Sequence, residues 1–137
     1  MRLRSITLGT MLASAAIFTA CGGGEFPLTG SDRAAGSDGM LTVEEIEGGN
    51  LLVNVQVEHL PPPARIGTGN TTYIGWYTPA GAQAVKAGVL GFDEDDRSGT
   101  MQFTTPANRF RFLLTAERNG NVASPSDVVV MQRDVQN

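Results

Sequence analysis

The chain has 137 residues, with 10 Lys plus Arg against 14 Asp plus Glu, one His and one Cys. That length suits one ordinary domain, and a net charge of -4 withholds the clustered cations that phosphate neutralisation needs, so nucleic acid is not an expected partner. One Cys excludes an internal disulfide, and one Cys with the lone His59 excludes a Cys- or His-rich zinc cluster; no cofactor is implied.

Residues 1–20 read as an export leader. Arg2 and Arg4 make a short basic start, and Ile6 to Ala20 are apolar or small, the pattern of a signal-peptide hydrophobic region. Its roughly 15 apolar residues fall short of the roughly 20 that cross a bilayer as a helix. The run ends at Phe18-Thr19-Ala20-Cys21-Gly22. This order of apolar, small, small, Cys resembles the bacterial lipobox, with Phe18 in place of the usual Leu. The resemblance implies a diacylglyceryl group on the Cys21 thiol, cleavage before Cys21 and acylation of the new amino group. It also implies a palmitate-bearing membrane anchor facing the periplasm or the cell surface. Gly22 is not the Asp that marks inner-membrane retention, so the outer membrane is the expected location in a Gram-negative host. Removing 1–20 deletes two Arg, which leaves 8 cations against 14 anions and a mature charge of -6.

Residues 21–39 are expected to be a lipidated Cys followed by a flexible tether, because GGGEFPLTGSDRAAGSDG is rich in Gly, Ser, Ala and Asp and shows no apolar period. Such a segment spans about 20–25 Å on average, enough to hold a domain clear of the headgroups.

From 40 to 137 the text changes to short alternating runs between Gly, Pro, Asn and Asp, which predicts seven strands. Leu41 to Glu47 opens the domain, with a bulge expected near Glu44-Glu45 because Ile46 is out of phase with Leu41 and Val43. Leu51, Val53, Val55 and Val57 alternate with wetter residues and mark the clearest strand, which Pro61-Pro62-Pro63 must end. Thr72 to Thr78 is read with Ile74 and Trp76 inward and Tyr73 and Tyr77 outward. Ala82 to Phe92 is a less regular strand containing two Gly. Met101, Phe103 and Thr105 alternate in the next, Phe110, Phe112, Leu114 and Ala116 in the one after, and Val128 to Met131 closes the domain.

Seven antiparallel strands with a Trp on the third fit an all-β, single immunoglobulin-like or fibronectin type III-like sandwich, here without the Cys pair of true immunoglobulin domains. More narrowly, Tyr73-Ile74-Gly75-Trp76, Ala87-Gly88-Val89, Phe112-Leu113-Leu114-Thr115-Ala116-Glu117 and Pro125-Ser126-Asp127-Val128-Val129 resemble the extracytoplasmic β-domain of RskA-type anti-sigma factors and related uncharacterised envelope proteins. The resemblance covers about residues 72 to 132. It implies a shared β-domain only, since regulation of a sigma factor also needs a sigma-binding domain and a transmembrane helix, and neither is expected here.

Three groups carry candidate chemistry. Asp93, Glu94, Asp95 and Asp96 are the one dense acidic cluster and weak candidates for calcium; they lack the Gly-punctuated loop and distal Glu of an EF-hand, and a solvated hairpin turn is the expectation. His59 lacks a nucleophile motif such as G-x-S-x-G to serve, so an enzyme is not expected. Tyr73, Tyr77, Arg109, Arg111 and Leu113 would share an outer sheet face if their strands are neighbours, and Tyr and Arg anchor interfaces. They are the candidate surface for an envelope protein or polymer, against cross-strand pairs that bind nothing. The expected function is a lipid-anchored, non-catalytic binding or structural module, with a small-ligand or calcium-binding protein using the 93–96 turn as the alternative.

Overall fold

The computed structural model describes residues 23–137, so the leader, Cys21 and Gly22 lie outside the described residues. Among the described residues nine strands form: β1 Gly23–Thr29, β2 Asp38–Glu45, β3 Leu51–Glu58, β4 Thr72–Pro79, β5 Val85–Val89, β6 Gly91–Asp93, β7 Ser98–Thr105, β8 Arg109–Glu117 and β9 Val129–Gln136. One short helix, α1 Pro63–Ile66, lies between β3 and β4. Every strand pairing is antiparallel, in a five-stranded sheet ordered β1-β2-β3-β7-β6 and a four-stranded sheet ordered β5-β4-β8-β9. No helix among the described residues is long and apolar enough to cross a membrane.

The alternation of β3 is realised as read: Leu51, Val53, Val55 and Val57 are buried, and Gln56 and Glu58 face water. They meet Phe110, Phe112, Leu114 and Ala116 of the other sheet in one apolar cluster, so both sheets build a single core. At its centre Phe103 stacks on Tyr77 (centroids 5.4 Å apart) and on Phe112 (6.1 Å), with Phe110 set edge-on.

The expected tether is replaced by structure. Gly23–Thr29 pairs with β2 over its whole length, from Gly23 opposite Glu44 to Thr29 opposite Asp38. Phe26 and Leu28 alternate inward, Leu28 being fully buried, while Glu25 and Pro27 face out. An edge strand needs only one set of ladder hydrogen bonds, which is why Pro27 and three glycines in the vicinity do not prevent pairing. A 3-10 turn at Asp32–Ala34, capped by the Ser31 hydroxyl, and the Gly30 bridge to Met131 fasten the rest of the segment to the second sheet.

Three further expectations change. The 82 to 92 run is two strands, because the fully turned-in Leu90 sits where the chain leaves one sheet at Val89 and joins the other at Gly91. No bulge forms at Glu44-Glu45: the β2–β3 register is continuous and Ile46 lies in the following turn, its N–H donating to the Asn50 carbonyl at 2.9 Å. The last strand runs on to Gln136 instead of stopping at Met131.

By register, one end of the domain collects Gly23, the β2–β3 turn, the β4–β5 turn, the β7–β8 turn and the chain terminus. The opposite end collects the longer connections 30–37, 59–71 and 118–128 together with the 94–97 turn.

Candidate binding surfaces

β4 is the point where sequence phase and structure disagree. Its neighbours are β5 and β8, as the partner-surface reading required, but Tyr73 and Tyr77 point into the core and not outward. Tyr73 is fully buried, set edge-on to Phe92 at 5.3 Å, and its hydroxyl donates to the Pro61 carbonyl; burial pushes its ionisation well above the usual phenol range. Tyr77 stacks in the aromatic centre. Between them Gly75 leaves room for Met101, since a Cβ there would lie 2.5 Å from the Met101 Sδ.

Ile74 and Trp76 therefore face outward, yet both are completely buried. The 118–128 segment folds back over this part of the face: Lys86 donates to the carbonyls of Gly120 and Val122, and the buried Glu117 carboxylate accepts from the Ser126 N–H at 2.7 Å. Beneath it, the Trp76 indole N–H donates to the Thr115 hydroxyl at 2.9 Å, which satisfies a buried donor that would otherwise be costly. Both faces of β4 are thus apolar and covered. Alternation alone cannot say which face is the core when neither is wet; Gly75 in phase with the two Tyr was the local signal of a crowded inner face.

The remaining candidates, Arg109, Arg111 and Leu113, do lie on the outer face, because their neighbours Phe110, Phe112 and Leu114 are inward. Arg109 and Arg111 are exposed and Leu113 half-buried. Arg111 holds Asp134 of the adjacent strand with Nε to Oδ1 at 2.7 Å, which favours both charged forms, raising the guanidinium and lowering the carboxyl. The five-residue surface is reduced to these three, one already engaged by a cross-strand pair.

The acidic run forms the β6–β7 hairpin turn. Asp93 Oδ1 accepts from the N–H groups of Asp95 and Asp96 at 3.0 and 3.3 Å, so one carboxylate serves the turn itself. The four side chains do not bring three ligand oxygens within 4.8 Å. Among the described residues the group that does so is Asp38, Glu58 and His59, all exposed. Asp38 and Glu58 are cross-strand partners, and His59, in the left-handed region at φ 56°, turns its Nδ1 to within 2.6 Å of Asp38 Oδ1. That hydrogen bond, then the Asp38 charge, raises the imidazole above its ordinary value near 6.5. Sequence separation hid this trio, since Asp38 fell in the expected tether.

A concavity sits at the end with the long connections. It is a crevice of about 700 Å³ between Gly67, Thr68 and Asn70 on one side and the 117–128 segment on the other, with Arg118 and Asp127 at its walls. Comparison with protein families, with curated proteins and with solved structures found no match to this chain.

Proposed function

We propose that this is a lipid-anchored envelope protein whose β-domain is a non-catalytic binding or structural module. The observation that carries the reading is the sequence Phe18-Thr19-Ala20-Cys21-Gly22 after a basic, apolar leader, which gives the lone Cys of an exported chain a chemical role. Outer-membrane placement follows from Gly22 after the Cys, by the same resemblance. The strand order supports an immunoglobulin-like assignment of the domain: without β1, the sheets β2-β3-β7-β6 and β5-β4-β8-β9 correspond to the A-B-E-D and C′-C-F-G orders of that architecture. Binding is assigned to the connections at the crevice end, because loops on a rigid two-sheet frame can carry recognition without disturbing the core.

Metabolic labelling with a radioactive fatty acid tests the anchor. Wild type should take up label and sediment with membranes, and Cys21→Ser should lose both properties while keeping the β-rich circular dichroism of the wild type. Label in the Cys21→Ser variant, or none in wild type, refutes it.

A further inference from the structure

We infer that the end of the domain carrying Gly23 and the 45–50, 79–84 and 105–108 turns docks on a zwitterionic phospholipid surface, leaving the crevice and the Asp38–His59 pair pointing away from the membrane. The inference rests on the lipid-anchor reading above and adds an orientation to it.

Ladder pairing begins at Gly23, opposite Glu44. Cys21 is two residues earlier, and two peptide units span at most about 7 Å. An acylated Cys21 therefore has no tether to lift the domain: the corner at which β1 starts must lie within a side chain's length of the headgroups. The register brings four other pieces of chain to that end. Glu44 and Glu45 close β2, Glu47 leads the turn into β3, Pro79 to Ala84 join β4 to β5, and Thr105 to Asn108 cross between the sheets, with Asn137 bonded to the Asn108 carbonyl at 2.9 Å.

The chemistry of this end sets the lipid. Glu44, Glu45 and Glu47 are exposed, with Arg109 as a nearby cation. Anionic headgroups would be repelled, while the ammonium groups of phosphatidylethanolamine or phosphatidylcholine offer the complementary charge. The turn 80–83 adds small exposed residues, Ala80, Gly81, Ala82 and Gln83, which permit close approach to a flat surface. Strands of eight residues rise about 26 Å, so the roots of the 59–71 and 118–128 connections stand roughly that far from the headgroups, the latter folding part of the way back over β4. A partner would then meet them first.

The test uses the full, processed protein in vesicles of phosphatidylcholine and phosphatidylethanolamine containing a headgroup nitroxide lipid. In lipobox chemistry the Cys21 sulfur is a thioether, so a newly introduced Cys takes a maleimide fluorophore alone. Glu47→Cys and Ala82→Cys report the anchored end; Ala64→Cys and Ser124→Cys report the far end. All four side chains are exposed, and unchanged Trp76 emission checks that each variant is folded. Quenching should be several-fold stronger at 47 and 82 than at 64 and 124, and the difference should disappear when a long Gly/Ser insert separates Gly22 from Gly23. Equal quenching at the two ends in an acylated protein overturns the orientation and leaves the anchor standing. Absence of acyl mass on Cys21 overturns both. A difference that survives the insert overturns the short link as its cause.

Discussion

Tyr73 gives the sharpest test of the fold, because an outward and an inward side chain at this position differ in cost by several kcal/mol. Its ring is fully buried and packed edge-on to Phe92, and its hydroxyl reaches across to Pro61 in the connection between β3 and β4. Truncating an aromatic ring in a packed core costs about 3–5 kcal/mol, a large part of the roughly 5–15 kcal/mol that holds a domain of this size together. Tyr73→Ala should therefore leave a substantial unfolded fraction at 37 °C. Tyr73→Phe keeps the ring and loses only the hydroxyl bond; Pro61 is half-buried, so its carbonyl regains some water, and the cost should be about 0.5–1.5 kcal/mol. One kcal/mol corresponds to a melting shift of about 4 °C in a domain near this length. Urea titration followed by Trp76 emission measures both variants, since Trp76 is the one tryptophan in the chain. If Tyr73→Ala cost no more than about 0.5 kcal/mol, the value for an exposed substitution, the inward phase of β4 would be refuted.

Two further outcomes follow from the outer face and from the loop end. Thr115→Val removes the acceptor of the buried Trp76 indole N–H and should destabilise by about 1–3 kcal/mol with a shifted Trp emission maximum; an unchanged midpoint would show that the bond is dispensable. At the loop end, Asp38 raises the His59 pKa through its hydrogen bond and charge. The contribution of this pair to stability is then fully present below the ordinary imidazole value near 6.5 and is lost as pH rises through the raised folded value. A nuclear magnetic resonance titration of the ring should show the raised midpoint in wild type and a return toward the ordinary value in Asp38→Asn; identical midpoints would refute the pairing.

How much of this was legible before folding differs from strand to strand. β3 and β8 announce themselves, because one face of each is a run of Val, Leu and Phe and the other is wet near at least one end, so period 2 identifies both the strand and its inner face. The all-β class follows from them and from the Gly, Pro and Asn punctuation. The candidate outer residues Arg109, Arg111 and Leu113 were placed correctly for the same reason: their phase is set by Phe110 and Phe112.

Tertiary structure decided the rest, wherever a residue's environment comes from chain far away in sequence. β1 reads as a tether because a glycine-rich edge strand has little propensity of its own and is held by its ladder to β2 and by Leu28 in the core. β4 has two dry faces, one against the opposite sheet and one under the 118–128 segment, and no local pattern distinguishes them. Asp38 and His59, 21 positions apart, meet only because the β2–β3 register sets Asp38 opposite Glu58, beside His59. By itself the sequence determined the all-β class and most of the segments that become strands, β1 excepted. Only long-range pairing determined which face of β4 is inside and how close to residue 21 the folded domain begins, because register and burial belong to pairs of strands and not to either one alone.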